Sequence, residues 1–161
     1  MWKLLTVFIA AALPISEVRG AIPLGVALGL SPVATFITAV VGNMLPVPLL
    51  LFLLGFAESL LATRLDAEGG GLPSRAASAY FKLAWSARRR VRPYVNRYGA
   101  LGLALFTAIP LPFTGAWTSS LAAHVLGMNR RVATLSIWLG VVAAALIVSS
   151  LVGLVVVSPG L

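Results

Sequence analysis

The chain has no cysteine, which excludes disulfides, thiolate metal sites and thiol redox chemistry. With one histidine, four acidic residues and no HExxH-like spacing, it offers no ligand set for a metal enzyme, and no cofactor is expected. No nucleophile and base stand at workable spacing either, so the reading is not an enzyme. Charge as a whole is scarce: 10% of residues are charged against 60% hydrophobic, with a mean hydropathy of +1.01. A soluble domain of this length could not hide that much apolar surface in one core. The chain therefore reads as an all-α integral membrane protein. Its charges lean one way, 12 Lys and Arg against 4 acids. Because the basic residues cluster beside apolar segments, they imply membrane orientation and attraction to anionic lipid, not nucleic acid.

What is abundant is apolar sequence interrupted by proline and glycine. Met1-Trp2-Lys3 followed by Leu4 to Leu13, with Ala10-Ala11-Ala12 near its end, has the shape of a secretory signal peptide, but is read as part of the folded chain. The first stretch, 4–30, is broken by Pro14, the pair Glu17 and Arg19, Gly20 and Pro23. About ten residues remain on each side of the break, half of what a span needs, so a re-entrant hairpin is expected. The second stretch, 33–61, is long enough to span, although Gly42-Asn43, Pro46 and Pro48 interrupt it. The third, 99–126, breaks again at Pro110-Leu111-Pro112-Phe113-Thr114-Gly115, which predicts a second unwound tip. The fourth, 132–157, carries no charge and reads as a plain span.

Between the second and third stretches lies the one polar region, 64–97. A Gly69-Gly70-Gly71 hinge precedes a helix predicted from Arg75 to about Val91. On it Arg75, Lys82 and Arg89 are assigned to one face and Tyr80, Phe81, Ala84 and Trp85 to another, so it is expected to lie flat among the headgroups. Arg88, Arg89, Arg90 and Arg92 are candidates for a lipid-phosphate clamp, with an orientation signal as the alternative.

Ala21-Ile22-Pro23-Leu24 recurs as Ala108-Ile109-Pro110-Leu111, at the break of each hairpin. That placement points to a transporter built from internal repeats. If all four stretches crossed, Arg130-Arg131 would be stranded outside. If the third is re-entrant, both basic clusters share the cytoplasmic side, and only Lys3 objects. The expected architecture is one membrane domain, 1–161, made of an inverted-topology repeat of re-entrant hairpin plus transmembrane helix. The first half-repeat is 1–63 (hairpin 4–30, span 33–61). The second is 98–161 (hairpin 99–126, span 132–157), and a cytoplasmic loop with an amphipathic basic helix, 64–97, joins them.

If helices restart after Pro23 and after Pro110 and Pro112, two helix N-termini face each other near the midplane and make an anion site, to which Arg19 adds a full charge. Thr114 and Thr118 offer hydroxyls, Gly115 close approach to the backbone, and Trp117 a wall. Asn43 is a further candidate from mid-span. Capping and packing are the alternative roles for all of these. Glu17 is the candidate proton carrier.

The runs SEVRGAIPLGVALG, GNMLPVP and YGALGLALFTAIPLPFTGAWTSSLAAHVLG resemble the small multidrug export protein family, which is similar in plan to the DedA superfamily with its VTT domain. The resemblance implies an inverted repeat of hairpin plus helix in a prokaryotic cytoplasmic membrane, and a flippase role on lipid-linked phosphates such as undecaprenyl phosphate. It also places Glu17 and Arg19 where that superfamily keeps essential charged hairpin residues. This chain differs in having no acid or Arg in its second hairpin. A phosphate headgroup carries about −1.5 to −2 charges and moves inward against roughly 2.3 kcal/mol per charge per 100 mV. Transport of an Arg19-bound phosphate together with a protonated Glu17 would offset that cost. The expected partners are thus a phosphate-bearing membrane lipid and a proton. The alternative is a small multidrug/proton antiporter for lipophilic compounds. A homodimer is left open by the sequence.

Overall fold

Apolar runs punctuated by proline fold as short helices, and the computed structural model describes them over residues 1–65, 73–110 and 114–157, with side chains except at 57–65, 73–81, 83–84 and 154–157. Pro112 and the Gly69-Gly70-Gly71 hinge lie outside the described residues. The elements are α1 (Trp2–Ala12), α2 (Glu17–Ala27), α3 (Pro32–Met44), α4 (Pro46–Leu65), α5 (Pro73–Tyr98), α6 (Ala100–Ala108), α7 (Ala116–Val125) and α8 (Arg130–Val157), with no strand among the described residues.

Two lengths of helix result. Residues Pro32–Phe56 and Arg130–Gly153 form apolar helical stretches of 25 and 24 residues, about 36 to 38 Å each, more than the roughly 30 Å of a hydrocarbon core. Within the first, Leu45 keeps helical torsions (φ −56°, ψ −44°). Pro46 and Pro48 cannot donate to the carbonyls of Gly42 and Met44, so they interrupt the bond ladder without turning the chain. By contrast α1, α2, α6 and α7 have 11, 11, 9 and 10 residues, about 14 to 17 Å, and each covers only half that thickness.

The outer surface is apolar. Val33, Ile37, Val41, Leu45, Leu49, Phe52 and Phe56 recur at helical spacing along α3 and α4, and each is more than half exposed. Such a continuous stripe has no place in water and faces lipid. Inside, small residues let the helices approach closely. A Cβ on Gly42 would stand 2.6 Å from the Phe8 carbonyl oxygen of α1, and one on Gly140 2.5 Å from that of Ala104 in α6. Thus α1 packs on α3 as α6 packs on α8.

That likeness extends to the helix ends. Leu30 N–H donates to Gly25 O and Gly29 N–H to Val26 O, closing α2, while Met128 N–H to Ala123 O and Gly127 N–H to His124 O close α7 the same way. Gly29 (φ +71°) and Gly127 (φ +66°) supply the left-handed residue that this cap requires. The next helix begins in both cases on a side-chain cap, Ser31 Oγ accepting from Ala34 N and Asn129 Oδ1 from Arg131 N. Gly29, Gly42 and Gly55 thus recur as Gly127, Gly140 and Gly153 at one constant offset.

Two sequence expectations are corrected. The Ala-Ile-Pro-Leu recurrence does not occupy corresponding points: Pro23 lies inside α2, whereas Pro110 follows the end of α6. The counterpart of Pro110 is Pro14. Proline disfavours helical torsions in the residue before it, and both Leu13 (φ −76°, ψ 142°) and Ile109 (φ −65°, ψ 120°) are extended C-caps. The polar helix is also longer than expected, running through Pro93 to Tyr98. On it Trp85 shares the exposed face of Arg88 and Arg89, because residues three and four apart are neighbours on a helix. The buried face is instead Ala87 and Val91, beside Tyr94, whose ring stacks on Phe106 of α6 at 5.6 Å.

Candidate functional site

The first turns of α2 and α7 meet, and side chains from each cap helices of the other pair. Glu17, the first residue of α2, is 5% exposed and directs its carboxylate to the start of α7, with Oε1 accepting from Trp117 N–H at 3.5 Å. Arg19 donates through Nη2 to the Ile109 carbonyl that ends α6, at 2.9 Å, and to Thr114 Oγ1, also at 2.9 Å. Thr114 in turn donates to Ile109 O at 2.6 Å. In the opposite direction Trp117 Nε1 donates to Ala12 O, at the end of α1, at 3.1 Å. Each charge therefore meets the helix end of opposite sign, the carboxylate an N-terminus and the guanidinium a C-terminal carbonyl. The two charges also face each other, Arg19 Nη1 to Glu17 Oε2 at 3.6 Å.

The local backbone is shaped to this contact. Glu17 has φ +50°, a left-handed conformation that costs an L-residue roughly 1 to 2 kcal/mol, and such strain clusters at functional sites. Opposite it, a Cβ on Gly115 would overlap the Glu17 carboxylate. Glycine at 115 thus admits the carboxylate of the other hairpin to the α7 terminus.

Beside the crossed caps lies a cavity of about 1000 Å³ lined by Glu17, Arg19, Pro110, Gly115, Trp117 and Thr118, together with Pro14, Ile15, Leu50, Leu54, Ser86, Ala87, Arg90 and Leu121. Most of the expected site residues are thus gathered in one place. Thr114 is the exception among the polar tip residues, buried behind Arg19. Two candidates lie elsewhere. Pro23 is exposed on α2, since the helix restarts six residues before it. Asn43 is buried in α3 and does not line the cavity; its Oδ1 has no hydrogen-bond partner among the described residues.

The expected pair of open N-termini is corrected as well. The α2 terminus carries Glu17 itself, and the α7 terminus receives that same carboxylate. An anion seat exists, and a side chain of the protein occupies it. The arginines of α5 divide: Arg90 lines the central cavity, whereas Arg88, Arg89 and Arg92 line a separate hollow with Trp85, Pro93 and Asn96. The cavity walls from α4 and α5 were missed, because Leu50 and Leu54 look like any span residues. For Ser86, Ala87 and Arg90 the signal was their spacing along one helical face.

Half-length helices thus meet at a charged, apolar-walled cavity, beside two helices long enough and apolar enough to cross a membrane. The chain belongs to the family described as "Putative small multi-drug export protein", whose model matches residues 17–147. The match begins at Glu17, just after the α1–α2 turn, and runs on into α8. No curated protein and no solved structure matches the chain.

Proposed function

We propose that this chain moves an amphiphile with a phosphate-like anionic headgroup across the membrane, with Glu17 carrying a proton, the lipid-linked phosphates of the DedA plan being one such substrate. The observation that carries this reading is the charge of the cavity wall. Among the described lining residues, Arg19 and Arg90 bring two guanidinium groups to a wall that also holds the Glu17 carboxylate and is otherwise largely apolar. A headgroup beside Arg19 meets the amides of the α7 terminus. When Glu17 takes a proton, that anion replaces the carboxylate, and the set moves with little net charge.

The reading includes an architecture of two half-repeats, 1–63 and 98–161, whose hairpins enter a prokaryotic cytoplasmic membrane from opposite faces. The recurring glycines, the matched caps and the half-length helices support it. With the α5 arginines, Arg130 and Arg131 on the cytoplasmic side, the chain obeys the positive-inside rule. Lys3, the one basic residue at the other end, donates Nζ to Leu28 O at 2.7 Å. It serves as a cap on α2, where a cation is favoured, and so weighs little as an orientation signal.

A second reading, proton-coupled export of lipophilic cations, is favoured by the family description and by a largely apolar cavity that both Glu17 and Trp117 line. Flux measurements in proteoliposomes at two pH values separate the two, with a short-chain fluorescent phosphatidate and a quaternary ammonium dye as probes. The first reading expects phosphatidate movement that Arg19→Gln abolishes and whose pH dependence Glu17→Gln removes. Movement of the dye alone would favour the second, and movement of neither would overturn both.

A further inference from the structure

We propose that the outer face of α5 is a second anion site, separate from the transport cavity, that binds the phosphate of an anionic phospholipid in the adjoining leaflet. Trp85, Arg88, Arg89, Arg92, Pro93 and Asn96 line a hollow of about 310 Å³. Their spacing puts all six on one stripe of the helix. No acid is among these described residues. The opposite face of α5 is fixed to the protein body by Ala87 and Val91, 3% and 0% exposed. The arginine stripe therefore cannot turn inward and must meet whatever lies outside.

The chemistry of the stripe names the occupant. Guanidinium groups bind phosphate oxygens in a bidentate fork, and the Asn96 amide adds a donor. Trp85 is 67% exposed, and an indole beside a cationic cluster is a usual anchor at headgroup level. Pro93 has no N–H to give the Arg89 carbonyl, which removes one backbone bond from the middle of the stripe. A free inorganic phosphate gains nothing from the indole, so the site is assigned to lipid.

The test is native mass spectrometry of the full chain in detergent, titrated with phosphatidylglycerol, phosphatidylcholine and inorganic phosphate. The expected result is preferential binding of phosphatidylglycerol that Arg88→Gln/Arg89→Gln/Arg92→Gln weakens by roughly tenfold or more. Arg130→Gln/Arg131→Gln, which removes charge elsewhere at that end, should leave it within about twofold. Helical circular dichroism and elution volume check that each variant is folded, and a lysine triple variant at the same positions keeps the charge if the glutamine set does not fold. Equal loss in the two glutamine variants would show diffuse attraction and overturn the site. So would unchanged binding by the α5 variant, or inorganic phosphate binding as tightly as the lipid.

Discussion

Replacing Gly115 by alanine tests the crossed caps most directly. Gly115 has φ −84° and ψ −165°, which alanine adopts freely, so the backbone itself exacts no penalty. The added Cβ would overlap Cδ, Oε1 and Oε2 of Glu17, and the carboxylate must leave the α7 terminus. A hydrogen bond to a charged group is worth about 1.5 to 3 kcal/mol, and the helix-end interaction adds roughly 0.3 to 1 kcal/mol. The variant should lose about 2 to 4 kcal/mol, an apparent melting temperature lower by roughly 5 to 15 °C for a chain of this size. The same substitution in a Glu17→Ala background meets no carboxylate and should cost under about 1 kcal/mol. In a Glu17→Gln background the carboxamide has the same bulk and the penalty should persist. Thermal unfolding in micelles, followed by intrinsic fluorescence, reads all six proteins. A Gly115→Ala chain that melts with the parent, or one whose loss is the same without Glu17, would refute the contact.

Two further substitutions probe the packing around that contact. A Cβ on Gly25 would overlap Thr35 Cγ2 and stand 2.8 Å from its Oγ1, so Gly25→Ala should destabilise by about 1 to 3 kcal/mol. Adding Thr35→Ala should restore most of that, because the residues at the same offset in the second half are Ala123 and Ala133, both fully buried; a double variant no more stable than the single one would show the halves are not packed alike. Trp117→Phe removes the donor to Ala12 O and should cost about 1 kcal/mol, with faster hydrogen exchange in the Leu13–Ser16 turn as the specific readout. Unchanged exchange there would mean the indole bond does not hold the turn.

Much of this was legible in composition and length. The two long apolar runs became the two spanning stretches, and the broken runs became pairs of short helices with Glu17, Arg19, Gly115 and Trp117 at their junction. Proline gave the weaker guidance, because its effect depends on register. Pro14 and Pro110 end helices by forcing the preceding residue out of helical torsions, while Pro23 sits inside α2 and ends nothing. Four identical apolar residues therefore misplaced the repeat. Glycine carried the true register, since Gly29 and Gly127 need a left-handed φ and Gly42 and Gly140 touch a carbonyl oxygen of a neighbouring helix. Those demands leave no substitute, whereas Leu, Ile and Ala exchange easily in lipid. The crossed caps were out of reach, because nothing along the chain tells that the anion at the α7 terminus comes from a residue about a hundred positions away.

The same offset explains why only the first hairpin is charged. Glu17 corresponds to Gly115 and Arg19 to Trp117, and Glu17 stands directly against Gly115. A carboxylate at both 17 and 115 would put two anions in the volume of one, since even a methyl group at 115 overlaps Glu17. Like charges at such a distance cannot both stay ionised in a low-dielectric setting. One half must therefore supply the side chains and the other the space and the backbone dipoles: Glu17 and Arg19 on one side, Gly115, the Trp117 amide and the Ile109 carbonyl on the other. The two junctions therefore differ in sequence where they meet. Among the described residues, the ion pair that results is Arg19 with Glu17.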